Sequence, residues 1–232
     1  MNLRAIVRRL VYTQNTIRYR VEWARIRQAW TRIPTPVDTL FDGGAGSGEY
    51  CRRLLAAGCA KEVKCLEFDS HNFARLKENL GENPSALLFQ GSVLEIPLAN
   101  ESVDVVMSTQ VIEHIQDHEK VASEFNRILK PRGFGLITVP HPPEPFPNDD
   151  HAREGYTEAD LAALFAPHGW KPLWSDYFLV RDTTDAMIRA DKWARLHVPL
   201  PVAWVDKESH LSWNERQAKM PFGLLMLFQK AA

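Results

Sequence analysis

The chain is short of cysteine, of long apolar runs and of net charge. Its three cysteines, Cys51, Cys59 and Cys65, are odd in number and lack the paired spacing of a metal site. That argues against a disulfide framework and for small buried thiols in a reducing, cytoplasmic setting. No apolar run approaches the roughly 18 residues of a membrane span, and no hydrophobic signal-peptide core is visible. With 28 basic and 29 acidic residues the formal charge is -1, so bulk nucleic-acid binding is not expected. Repeats and low-complexity tracts are absent. What remains, 232 residues of 45% hydrophobic composition, suits one soluble domain with a substantial core.

Glycine is sparse too, but four of the 12 glycines crowd into one place. Leu40-Phe41-Asp42-Gly43-Gly44-Ala45-Gly46-Ser47-Gly48-Glu49 reads as a buried strand, a tight turn and a helix start. Glycine there permits positive φ and lets a ligand approach the backbone, with helix N–H groups behind it. A dinucleotide site wants G-x-G-x-x-G, whose third glycine would fall at Glu49, so nicotinamide and flavin cofactors are disfavoured. The pattern D-x-G-x-G-x-G, with Asp42, Gly44, Gly46 and Gly48, resembles motif I of the class I S-adenosylmethionine-dependent methyltransferases.

The resemblance continues along the chain. Val63-Lys64-Cys65-Leu66-Glu67 reads as the second strand and ends in an acid 19 positions after Gly48; a carboxylate there can accept bonds from a ribose diol. Asp69 or Ser70 caps the next helix, which runs to Leu80. After a short third strand, Ser92 stands where many relatives carry an acid for the adenine amino group, with the Val93 N–H as an alternative. Glu101 to Ser108 resembles the fourth strand, and Lys130-Pro131-Arg132-Gly133 resembles the L-K-P-G-G turn, Arg132 replacing its first glycine. The resemblance implies S-adenosylmethionine contacts at Asp42, Gly44, Ala45, Gly46, Gly48, Glu67, Phe68, Ser92, Val93 and Gln110. It also implies an α/β, Rossmann-like, doubly wound fold: a seven-stranded, mostly parallel sheet with one antiparallel edge strand and helices on both faces.

Acceptor chemistry is read from three further stretches. If 110 to 115 is helical, Gln110, Glu113 and His114 share one face. In some relatives an E-x-x-E-H segment holds a divalent metal; here Gln110 replaces the first acid, an amide is a weaker ligand, and no metal is assigned. The proline-rich loop from Pro140 to Tyr156 carries His141, His151 and Arg153. A helix capped by Thr157 and ending near Phe165 would hold His151 and Arg153 over the site. His151 is the candidate general base and His141 its understudy, since imidazole titrates near neutrality; pinning of the loop by either is the plainer alternative. An insertion at 182–220, with Trp193, Trp204, Trp213, His197 and His210, reads as a pocket wall, a packed bracket or an oligomer contact.

Residues 1–36 form a separate basic amphipathic segment ahead of a domain at 37–232. Eight arginines stand against one acid, Glu22, within residues 1–33. Packing as a roof over the cofactor site, contact with an anionic membrane surface or phosphate-bearing substrate, and a mitochondrial presequence are the readings it leaves open. The function expected from all this is O-methylation of a small metabolite, glycan or lipid-linked acceptor in the cytoplasm or at a membrane surface. The alternatives are a metal-assisted methyltransferase of a quinone or RNA 2′-hydroxyl, and a non-catalytic cofactor-binding partner module.

Overall fold

The structure is a computed structural model and describes residues 14–143, 149–194 and 207–232, with side chains from 17 to 188 and from 207 onward within those ranges. Arg4, Arg8 and Arg9 of the basic segment, the stretch 144–148 of the proline-rich loop, and Trp193, His197 and Trp204 of the insertion lie outside the described residues or side chains.

In chain order the elements are α1 (Gln14–Trp30), β1 (Val37–Gly43), α2 (Glu49–Ala56), β2 (Ala60–Glu67), α3 (Ser70–Leu80), β3 (Ala86–Gln90) and β4 (Val103–Thr109). There follow α4 (His118–Ile128), β5 (Leu129–Pro140), α5 (Glu158–Phe165), β6 (Trp170–Phe178), α6 (Arg181–Ala194), α7 (Trp213–Ala218) and β7 (Gly223–Lys230). One seven-stranded sheet has the order β3-β2-β1-β4-β5-β7-β6. β1 to β5 pair in parallel, and β7 runs antiparallel to both neighbours, one place in from the β6 edge. This is the expected Rossmann-like architecture.

The strands alternate, and the alternation makes two cores. Leu40, Val63, Val105 and Leu136 bury one face with α1, α2, α3 and α6, while Phe41, Leu66, Val106 and Ile137 bury the other with α4 and α5. The order reverses between β1 and β4, and ligands of such sheets sit in the crevice beyond the carboxyl ends at that reversal.

Local signals hold where the partner is close in sequence. Asp69 accepts from Asn72 N, Asp117 from Lys120 N, and Thr157 and Asp160 form a reciprocal box at the start of α5. One expectation changes. Residues 110–115 are not an α-helix: Gln110 has φ +54° and only Ile112–His114 form a 3₁₀ turn, so Gln110 does not share a face with Glu113 and His114. Arg132 takes φ +62°, adopting the left-handed backbone that glycine holds in the resembled turn.

Helix α1 spends its apolar face on the domain. Ile17, Val21, Ile26, Ala29 and Trp30 are buried on the core that α2 and α3 share. No helix among the described residues is long and apolar enough to cross a membrane.

Candidate active site

The turn after β1 uses its glycines in two ways. At Gly44 (φ +81°) a Cβ would fall 2.3 Å from Val111 Cγ2, so the position must stay bare for packing. At Gly46 (φ +56°) a Cβ would meet nothing within 4 Å, which leaves backbone open to a ligand. The turn is tied to β2 by Gly44 and Ala45 N–H groups, both donating to Leu66 O at 2.8 and 3.0 Å. Beside it, Glu67 is 7% exposed. One carboxylate oxygen accepts from Gly46 N at 2.7 Å and the other from Asp69 N at 2.9 Å. Each oxygen keeps a lone pair for a further donor.

These groups open onto a cavity of about 1110 Å³ at the carboxyl ends of β1, β2 and β4. Gly44, Ala45, Gly46, Glu67 and Phe68 line it, with Ser92, Val93 and Gln110 across from them. Phe68 is largely exposed. The Ser92 hydroxyl accepts from Leu94 N at 3.2 Å and retains its proton to donate.

Two expected cofactor residues stand apart from the lining. Gly48 packs on α3, where a Cβ would lie 2.5 Å from Leu76 Cδ1. Asp42 is buried in the wall: Oδ2 accepts from Cys51 Sγ at 3.2 Å and Oδ1 has no hydrogen-bond partner. Burial, aided by the nearby charges of Glu67 and Glu22, pushes its carboxyl up to about 7. Cys51 and Cys65 are free and buried, as expected of small core thiols.

A roof over the site was one of the readings that residues 1–36 left open, but none of its lining residues was named from the sequence. Arg18, Tyr19 and Glu22 of α1 line the same cavity. Glu22, 1% exposed, accepts from Tyr50 Oη at 2.7 Å and from Thr138 Oγ1 at 2.6 Å, which fixes α1 to α2 and β5. The signal was present in the composition, since the lone acid of a basic segment is the residue that the fold buries.

At the other end, His114 and Asp150 line the cavity and His151 lies against His114, ring centroids 4.6 Å apart. The loop is held there by Ala152 N donating to Glu113 O at 2.8 Å and by His114 Nδ1 at 3.1 Å from Asp150 O. Donor atoms of Glu113, His114 and His151 all fall within 4.8 Å of one another, a set able to take a divalent cation. Arg153 is not over the cavity. Its guanidinium donates to Ile112 O, Ile115 O and Gln116 O and to the Tyr156 hydroxyl, stapling the loop to the turn beneath it. His141 is not brought to this end either; its ring packs edge-on against Tyr177 at 5.2 Å. Trp213 of the insertion packs on Tyr177 as a bracket and does not line the cavity.

Residues 41–137 match the family model described as a methyltransferase domain. Over that stretch the chain is similar to the S-adenosylmethionine-dependent methyltransferases. A protein of Mycolicibacterium smegmatis named "probable S-adenosylmethionine-dependent methyltransferase" is 34% identical over 133 residues, 55% of this chain and 50% of that one. A dimethylglycine N-methyltransferase of Parasynechococcus marenigrum is 34% identical over 105 residues, 44% of this chain and 37% of that one. The chain thus spans half or less of these two curated relatives. Among solved structures, one assigned to a sarcosine dimethylglycine methyltransferase of Galdieria sulphuraria superposes with a TM-score of 0.65 at 22% identity, covering 90% of this chain and 84% of that one. At that identity the likeness shows the fold alone.

Proposed function

We propose that the chain methylates a hydroxyl of a small acceptor, a metabolite, glycan or lipid-linked intermediate, at the His114–His151 end of the cavity. S-adenosylmethionine supplies an electrophilic methyl on a sulfonium. Gly46 offers bare backbone to its amino-acid end, and Glu67 offers two carboxylate oxygens to its ribose hydroxyls. Helix α1 excludes water from above, which a displacement between aligned atoms requires. His151 takes the acceptor hydroxyl proton as the C–O bond forms and the C–S bond breaks.

The observation that carries the reading is the Gly46–Glu67 cradle in the same cavity as His114, against whose ring His151 packs at 4.6 Å. Burial, and the Arg18 charge behind it, hold His151 below its ordinary 6.5 against the opposing pull of Asp150, so the ring is neutral and basic at pH 7. A free amine needs no such base, which is why hydroxyl acceptors are favoured although the Parasynechococcus relative is named for a nitrogen acceptor. The test is S-adenosylhomocysteine release across a panel of hydroxyl acceptors with sarcosine and dimethylglycine beside them. Turnover on the amines alone moves the reading to nitrogen, and binding without turnover on any acceptor leaves a non-catalytic partner module.

The Glu113, His114 and His151 cluster favours a second reading, in which a divalent cation held there polarises the hydroxyl of a quinone or RNA acceptor. Methylation that survives exhaustive chelation removes it. Residues 1–36 are proposed as a segment distinct in composition but continuous with the site through α1. Packing of α1 spends the apolar face of that helix, so contact of α1 with a lipid surface falls to its charged side.

A further inference from the structure

The cavity has a roof that the matched residues 41–137 do not include. On α1, Arg18 and Glu22 stand one turn apart with opposite charge, and both line the cavity. Their pairing is loose: Arg18 Nε lies 3.7 Å from Glu22 Oε2, beyond hydrogen-bond length. The Glu22 oxygens are fixed instead by two neutral hydroxyls, those of Tyr50 and Thr138. Each oxygen keeps a lone pair, and the planar fork of the guanidinium is not spent on a bidentate partner. Glu113 lies close enough to act on the Arg18 charge as well, so the group leans negative and accommodates a cation along with an anion.

Two opposite charges held side by side on a cavity wall, neither saturating the other, complement a zwitterion. The acid that the glycine motif leads one to expect at this end, Asp42, does not line the cavity and is bonded to Cys51 inside the wall. We propose that Arg18 and Glu22 form the subsite for a ligand's α-amino-acid group, Arg18 taking the carboxylate and Glu22 the ammonium. The proposal rests on reading this cavity as the S-adenosylmethionine site, where the group is the methionine end of the cofactor. An amino-acid acceptor presents the same chemistry.

Calorimetry on the full chain separates these sources. S-adenosylhomocysteine carries the amino-acid end and 5′-methylthioadenosine is the nucleoside thioether without it. Arg18→Met and Glu22→Gln each lower S-adenosylhomocysteine affinity about ten- to a hundredfold and leave 5′-methylthioadenosine binding unchanged, which also shows that the variants fold. Should Glu22→Gln fail to fold, Arg18→Met carries the test, since among the described residues that side chain makes one loose pair. If both nucleosides bind the variants as they bind wild type, glycine titrated into the S-adenosylhomocysteine-saturated protein decides. Glycine bound by wild type and lost in the variants assigns the subsite to the acceptor. No glycine binding, or equal binding by the variants, overturns the proposal. Wild type binding neither nucleoside overturns the cofactor reading beneath it, a different failure with a different signature.

Discussion

Gly46 and Glu67, 21 positions apart, meet through an N–H···Oε2 bond of 2.7 Å. The bare turn and the acid that ends β2 are therefore one unit, and the second bond from Asp69 N leaves the carboxylate little freedom. Glu67→Gln keeps the volume but puts an amide NH₂ against one of the two backbone donors. Nucleoside affinity is expected to fall about ten- to a hundredfold, read by calorimetry with S-adenosylhomocysteine. Gly46→Arg fills the open space above the turn and abolishes binding. Wild-type affinity in either variant would place the cofactor elsewhere.

Asp42 makes stability depend on pH in an unusual direction. Its folded-state pKa is raised from 3.8 to about 7, so the folded protein holds a proton that the unfolded chain releases. The associated stability is full below pH 3.8 and is lost as pH rises towards 7. Urea unfolding is expected to show wild type weaker at about pH 8 than at about pH 5 by roughly 3 kcal/mol from this group. Asp42→Asn keeps an acceptor for Cys51, removes the titration and flattens the profile. A slope that survives the substitution would assign it to another group.

How much of this was legible in the sequence follows from how far each interaction reaches. The caps at Asp69 and Thr157 close on residues three positions away, so composition and spacing expose them. The glycine turn and Glu67 are longer range, but strand and helix lengths between them are regular enough for the 19-residue interval to be read. Glu22 meets Tyr50 across 28 positions and Thr138 across 116, and no periodicity marks such pairs. Gln110 was misread because a residue at φ +54° breaks the helical face that its spacing suggests. Arg153 and His141 were misplaced because a loop constrains reach but not direction.

A buried ion cluster holds the roof from behind. Asp176 of β6, 1% exposed, accepts two bonds from Arg216 Nη2 at 2.7 and 2.8 Å and one from Arg25 Nη1 of α1 at 3.2 Å. Asp176→Ala strands two buried guanidinium groups, at a cost of about 3–5 kcal/mol. The expected readouts are a lower urea midpoint and faster proteolysis within α1. Replacing Asp176, Arg25 and Arg216 together with apolar residues should recover most of the loss, because then no charge is left buried alone. A mild effect of Asp176→Ala would mean that α1 is held by its apolar face and Glu22 alone.

His151 supplies the sharpest division between the two chemical readings of the acceptor end. As a general base it must be neutral, and its pKa lies below 6.5 because burial and the Arg18 charge outweigh Asp150. The methylation rate should rise with pH through a midpoint below 6.5 and be flat from neutrality upward, the reverse of the pattern for a required imidazolium. His151→Ala should lower kcat about 10²–10⁴-fold with little change in S-adenosylhomocysteine affinity, since the ring lies beyond the cofactor end of the cavity. As a metal ligand with Glu113 and His114, the same ring would give a different record. Activity would fall on chelation and return with added divalent ion, and Glu113→Gln would lose as much as His151→Ala because one ligand set is broken in either. Base catalysis predicts no response to chelation and a smaller loss for Glu113→Gln, so rates of the two variants before and after chelation decide between proton transfer and metal assistance.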